Sequence, residues 1–463
     1  MTQRTGVRLL AGTMLATLLG LVLDQTWSSG IAGVLLAGYL LVQLGSLSRM
    51  ALGLLAFAAA TSVITIWVFD EPWRLLGEAI GRFAFFATFV AALSLLRLPA
   101  YRSRLVRQCG KVMLGQFPAR RYPILSLGAG LFGVILNIGV LNLFAGMIEK
   151  SNTLAAANGR EWVRETRRRR MLMAVLRGFS LVPLISPLGI GMAVILASMP
   201  SMRWLDLAPY VYAAAGVIFL VGWLVDHLTG PHAPQRKLPA AAPSLRPVGL
   251  FCLVLLGIVL LVFALAYLLS LRLPVAVLVG APLASWLWLA WQRRRLGGLG
   301  LASAAVTFHR QLPWLLGPLG SEVVILGSAG YVGHVATALI DLPALVGSLT
   351  WLVPLGGWNS VLAMLLVLVT AQIGLNPIVS VTLLAGVLPA LDIPGLTPPL
   401  ICVSLMVGWS LALMSSPLTA SMLILSRLSG KSPLTIGYYW NRAFMLGVIP
   451  IITLWFLAVS AFL

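Results

Sequence analysis

Apolar runs of about twenty residues, separated by short polar stretches, fill the chain from end to end. That length is what a helix needs to cross about 30 Å of hydrocarbon. Eleven runs qualify, near 9–23, 28–46, 50–69, 78–96, 178–200, 205–228, 248–270, 273–291, 312–340, 400–427 and 443–462. Two further apolar stretches, 122–148 and 350–391, resist a single crossing. If 122–148 crossed once, Arg160, Arg164 and Arg167 to Arg170 would lie outside, against the cytoplasmic bias of Lys and Arg. Folded as re-entrant hairpins, both stretches enter and leave on one side, and 28 of the 32 basic residues then share the cytoplasmic face. Arg74, Arg82, Arg203 and Arg272 remain outside. The pattern predicts an all-α polytopic membrane protein of about 11 transmembrane helices plus two re-entrant hairpins. The expected setting is the inner (plasma) membrane of a bacterium, with the N-terminus cytoplasmic and the C-terminus periplasmic.

Composition sharpens this. The chain is 60% apolar and 10% charged. A soluble domain carries roughly 25% charge and must still meet water over its surface. A formal charge of +20 invites a nucleic-acid reading, but the basic residues sit in short stretches between apolar runs, where they set orientation. The three cysteines, Cys109, Cys252 and Cys402, are far apart and form neither a disulfide framework nor a zinc site. Arg4 and Arg8 ahead of an apolar run resemble a signal peptide, yet no small-x-small cleavage site follows, so this run reads as the first helix, retained.

The chain also repeats itself. Gly178-Phe-Ser-Leu-Val-Pro-Leu-Ile-Ser-Pro-Leu188 matches Gly408-Trp-Ser-Leu-Ala-Leu-Met-Ser-Ser-Pro-Leu418 at an offset of 230, without a gap. Upstream, Asn137-Ile-Gly-Val aligns with Gln372-Ile-Gly-Leu, and Asn142 and Asn376 follow in the two copies. Each copy holds a hairpin and then an interrupted helix, and the predicted topology inverts one copy relative to the other. Interrupted helices from two inverted halves form the midplane site of many secondary transporters. A Ser-Pro break removes a backbone hydrogen bond and frees carbonyls, which can replace the hydration shell of an ion or polar solute. The candidate binding residues are therefore Asn137, Asn142, Ser186, Pro187, Gln372, Asn376, Ser415, Ser416, Pro417 and Thr419.

With these motifs the sequence resembles the ion transporter superfamily, and within it the divalent-anion/sodium symporter branch. The resemblance rests on the Ser416-Pro417-Leu418-Thr419 break followed by Ser426 to Gly437 and a last helix, on the equivalent Ser186-Pro187, and on eleven helices with two opposed hairpins. It implies transport by movement of core repeats against a scaffold, with sodium and substrate held at the hairpin tips. That branch carries a Ser-Asn-Thr triplet at its tips; the tips here, Asn137 to Asn142 and Gln372 to Pro377, lack it. A literal Ser151-Asn152-Thr153 precedes an Arg-rich loop instead.

Glu322 stands well inside the span 312–340 among glycines. An ionisable group at such depth usually faces a polar cavity, so Glu322 is the candidate for a coupling proton. Gly128-x-Gly130-x-x-Gly133 matches a dinucleotide fingerprint on paper but lacks the strand that the fingerprint requires; close helix packing explains it better. Asp226, His227 and His232 read as a helix end and solvated loop rather than a metal site. The acids Asp70, Glu71, Glu78, Asp206, Asp341 and Asp392 form no motif. Arg167 to Arg170 fix topology and contact anionic headgroups.

The resulting organisation is an N-terminal scaffold (1–121), a first repeat core (122–228), a linker with scaffold helices (229–311) and a second repeat core (312–463). The expected function is secondary active transport of a small polar, anionic solute coupled to sodium or protons, without catalysis. The alternatives are a membrane enzyme acting on a lipid-linked substrate and a non-transporting subunit of a membrane complex. No cofactor is expected beyond a sodium ion. Expected partners are lipids, the solute and a second copy of the chain, not nucleic acid.

Overall fold

The computed structural model describes residues 2–23, 26–155, 157–230, 244–294, 299–340 and 350–462. Asp341, His232, Arg236, Lys237 and Arg295 lie outside them. The chain is an all-α polytopic membrane protein, with 86% of residues helical and no strand among those described. Four helices lead: α1 (Thr2–Leu23), α2 (Thr26–Gln43), α3 (Arg49–Val68) and α4 (Pro72–Leu95). The short α5 (Arg97–Arg102) and α6 (Arg104–Leu114) follow. The first helical hairpin is α7 (Pro118–Leu136) and α8 (Gly139–Ser151). The first interrupted helix runs through α9 (Glu161–Ser180), α10 (Val182–Ile185) and α11 (Ile190–Ser198), ahead of α12 (Trp204–Thr229).

After α13 (Arg246–Leu268), α14 (Leu273–Gln292), α15 (Leu299–Leu316) and α16 (Gly320–Leu339), the same order recurs. A second hairpin, α17 (Trp358–Gln372) and α18 (Pro377–Val387), precedes a second interrupted helix, α19 (Pro398–Ser415) and α20 (Ala420–Ser429), and the last helix α21 (Arg442–Ser460). Among the described residues, eleven stretches are long and apolar enough to span, and they match the eleven predicted runs one for one.

The predicted connecting stretches 97–121, 150–177 and 293–310 are largely helical. The sequence of α6 explains why: Val106, Cys109, Gly110 and Met113 repeat at helical spacing and are buried, while the Arg and Lys residues between them face out. The Ser103 hydroxyl caps the helix by accepting from the Val106 N–H. The run Arg167 to Arg170 lies inside α9, not in a loop. Arg168 pairs with Glu149 of α8 and Glu165 and donates to the Leu428 carbonyl at the end of α20. Arg170 pairs with Asp226 of α12 at 2.6 Å. These two cations are committed to neighbouring helices rather than free for headgroups.

Helices pack closely where glycine removes the side chain. The backbone of Gly178 in α9 lies directly against that of Ser126 in α7, and a Cβ added at Gly130 would stand 3.2 Å from the Gly178 carbonyl oxygen. The glycine triplet at 128–133 is thus a packing face. Gly327 and Gly330 of α16 similarly receive the rings of Phe83 and Phe86 of α4.

Candidate functional site

The two breaks share one local geometry. The Ser186 N–H still donates to the Val182 carbonyl at 3.0 Å, and the Ser416 N–H to Ala412 at 2.9 Å. Pro187 and Pro417 then have no N–H to continue the ladder. Each chain turns once, with the Gly189 N–H donating to the Ser186 carbonyl at 3.1 Å and Thr419 to Ser416 at 3.3 Å. Gly189 and Thr419 then start α11 and α20 in extended backbone. Each break therefore faces a carbonyl-rich helix end toward an N–H-rich helix start.

The hairpin tips differ. The first turns at Asn137, whose φ of +50° suits Asn better than most residues; its side-chain amide bonds to nothing among the described residues. The second turns through Gly374, at φ +103°, and Asn376 caps α18 by accepting from the Ile378 N–H at 2.9 Å. The second tip is laced to the second break. Ser416 Oγ donates to the Ala371 carbonyl at 2.7 Å, and Gln372 Nε2 to Ser415 Oγ at 3.1 Å. Tyr438 Oη, in a π-helical turn spanning Thr435–Trp440, donates to Gln372 Oε1 at 3.1 Å. Ser415 Oγ itself donates back to Leu411. Thr419 Oγ1 donates to the Ser416 carbonyl and lies 3.2 Å from Ser421 Oγ. Ser186 Oγ is fully buried and finds no protein partner among the described residues.

Both tips and both breaks open on one cavity of about 450 Å³. Five pairs of wall residues are related by the sequence offset of 230: Phe179 and Trp409, Pro183 and Leu413, Gly189 and Thr419, Ile190 and Ala420, Gly191 and Ser421. Of the predicted site residues, Asn137, Asn376, Thr419 and Glu322 are on the wall. Ser186, Pro187, Gln372, Ser415, Ser416 and Pro417 are not on it; they form the breaks and the second tip. Asn142 does not join them; it is exposed on α8. Ser151-Asn152-Thr153 is at the opposite end of that helix, where Asn152 donates to the Arg164 carbonyl at 2.8 Å.

Glu322 is not mid-helix. The run that contains it is interrupted by a 3₁₀ turn at Gly317–Leu319, and Glu322 occupies the first turn of α16, 3.6 Å from Arg97. Pro318 in that turn has no N–H to continue the helical ladder, which is why the geometry changes there. Arg97, Trp409 and Ser421 are wall residues that the sequence reading missed. The offset of 230 pairs Trp409 with Phe179 and Ser421 with Gly191 and could have found both; nothing in the sequence pairs Arg97 with Glu322.

No protein-family model matches the sequence, and no curated protein matches it. Two transporters are among the solved structures that resemble the chain. The YdaH transporter of Alcanivorax borkumensis, a crystal structure described as having an unusual topology, superposes with a TM-score of 0.54 at 17% identity, over 88% of this chain and 98% of that one. MtrF of Neisseria gonorrhoeae, described as illuminating a class of antimetabolite efflux pumps, gives 0.47 at 14% identity, over 88% and 95%. The chain thus shares the fold of a membrane transporter along nearly its whole length.

Proposed function

We propose that the chain is a secondary active transporter of the bacterial inner membrane, moving a small solute with an anionic group and coupled to sodium or protons. The observation that carries this reading is the convergence of two hairpin tips and two helix breaks, from halves 230 residues apart, on a single cavity. Helix ends that meet at a shared cavity supply oriented carbonyls and N–H groups without a lipid-exposed broken backbone. The basic-residue asymmetry orients the two copies oppositely across the membrane, in keeping with the ion transporter superfamily. On that topology α5 is cytoplasmic and the start of α16 lies within the span that enters from that face, so the cavity leans toward it.

Unwound backbone carbonyls hold sodium in many transporters, and in this reading the carbonyls of the first break, with the unpartnered Ser186 hydroxyl among them, are the candidates. A membrane enzyme would need acid, base or nucleophile at one face. The charged groups on this wall, among the described residues, are one arginine and one glutamate in contact with each other. Reconstitution into proteoliposomes with a panel of labelled solutes, under sodium, proton or no gradient, tests the proposal. Gradient-driven accumulation of an anionic solute supports it; no accumulation of any solute under either gradient would sink it.

A further inference from the structure

The wall of the cavity is chiefly apolar, with Val90, Leu93, Phe179, Trp409 and Leu413 among its residues, and its polar groups cluster at the tips and breaks. Its charged side chains, among the described residues, are Arg97 and Glu322 alone. Arg97 Nη2 stands 3.6 Å from Glu322 Oε2, an ion pair beyond hydrogen-bond length. Neither group is sealed off: the side chains are 20% and 39% exposed. We propose that Arg97 is the anchor for the anionic group of the transported solute, that this group displaces Glu322, and that the solute is a largely apolar molecule with one such group.

The chemistry follows from the wall. A guanidinium presents a planar fork of donors that matches a carboxylate or sulfonate with two parallel hydrogen bonds. The loose pair with Glu322 leaves that fork unfilled. A dianion of the small dicarboxylate kind would need a second cation, and its compact polar body would leave most of the apolar wall uncovered. Glu322 is not stranded when Arg97 changes partner. It sits in the first turn of α16 with its side chain 39% exposed, so water can hydrate the carboxylate once it is released. That start is held in place by the Ser321 hydroxyl, which accepts from the Ser48 N–H at 2.9 Å.

The inference rests on the transport reading, and binding measurements separate the two. Calorimetric titration of the purified full chain with naphthalene-2-sulfonate, and with the neutral naphthalene-2-sulfonamide, should give at least tenfold tighter binding of the sulfonate. Arg97→Ala should erase that preference, Arg97→Lys should keep part of it, and Glu322→Gln should tighten sulfonate binding by removing the competing carboxylate. Equal affinities in the unaltered protein, a preference that survives Arg97→Ala, or tighter binding of succinate would overturn the proposal, as would binding of neither naphthalene compound. Weaker sulfonate binding by Glu322→Gln would overturn the displacement. If Arg97→Ala does not fold, the unaltered protein and Glu322→Gln still decide. Sulfonate preference in a protein that drives no uptake in proteoliposomes would sink the transport reading and leave the Arg97 anchor standing; uptake of neutral and anionic compounds alike would do the reverse.

Discussion

Arg177 donates from both Nε and Nη2 to one oxygen, Asn441 Oδ1, at 3.1 and 2.9 Å. The partners are 264 residues apart, one in α9 and the other just ahead of α21. The guanidinium also lies over the Phe444 ring, 4.3 Å from its centroid. Asn441 Nδ2 in turn donates to the Met414 carbonyl, at 2.8 Å, in the last turn before the second break. A buried cation of the first copy thereby holds the backbone of the second copy in place, through an amide whose two ends have distinct tasks.

Removing the amide strands the cation. Asn441→Leu is expected to cost about 1.5–3 kcal/mol, the range for a hydrogen bond to a charged group, read as a lower unfolding midpoint in detergent. The double variant Arg177→Met, Asn441→Leu should recover most of that loss, because replacing both partners with apolar groups removes the desolvation cost as well. An unchanged midpoint for Asn441→Leu would show that Arg177 is held by other contacts.

The two break serines should respond differently. Ser416→Ala deletes the bond to the Ala371 carbonyl and should cost about 1 kcal/mol, loosening the second tip. Ser186→Ala deletes a hydroxyl without a protein partner among the described residues, so stability should hold while the sodium concentration for half-maximal uptake rises about tenfold, the worth of roughly one ligand bond of 1.4 kcal/mol. Unaltered sodium dependence in a well-folded Ser186→Ala would remove this hydroxyl from the ion site.

Glu322→Gln separates coupling from binding. If Glu322 carries the coupled proton, the variant should lose gradient-driven accumulation yet still exchange internal for external solute, since a neutral amide cannot release and regain a proton. Full proton-driven accumulation by a stable variant would clear Glu322 of that role and leave coupling to sodium at the breaks.

A thiol placed at Ala155, between α8 and α9, should react with impermeant maleimide from the cytoplasm and not from the periplasm. The native Cys109 should not compete. Its Sγ is buried beside the Pro247 carbonyl at 3.1 Å, and burial, with nearby Cys252, pushes the thiol up to about 11. A raised value keeps it protonated at neutral pH, and the thiolate is the reactive form. Labelling of Ala155→Cys from the periplasm would overturn the first re-entrant hairpin.

Spans were legible because apolar length is a direct reading of hydrocarbon thickness, and the offset between the breaks was legible because Ser-Pro is read locally. What failed was angular. Asn137 to Asn142 is five residues and Gln372 to Asn376 is four. One residue turns a helical side chain by about 100°, so the two asparagines are not equivalent: Asn376 caps a helix at the tip, whereas Asn142 rides on an exposed face. Glu322 does lie inside its apolar stretch, but run length does not reveal the 3₁₀ turn before it that puts it at the start of a helix. Arg97 was counted as a topology signal, and its pairing across 225 residues has no trace in the sequence.

The ring-to-backbone seam between α4 and α16 bears on which sequences this fold can accept. With the rings of Phe83 and Phe86 already seated on Gly327 and Gly330, volume at these positions is a shared quantity rather than four independent choices. A library randomising Gly327 alone should return almost only glycine, while one randomising 83 and 327 together should return small-for-large exchanges such as Phe83→Leu with Gly327→Ala. Among descendants of this sequence those two positions would then drift as a pair, and the record of that drift would mark the contact without any structure.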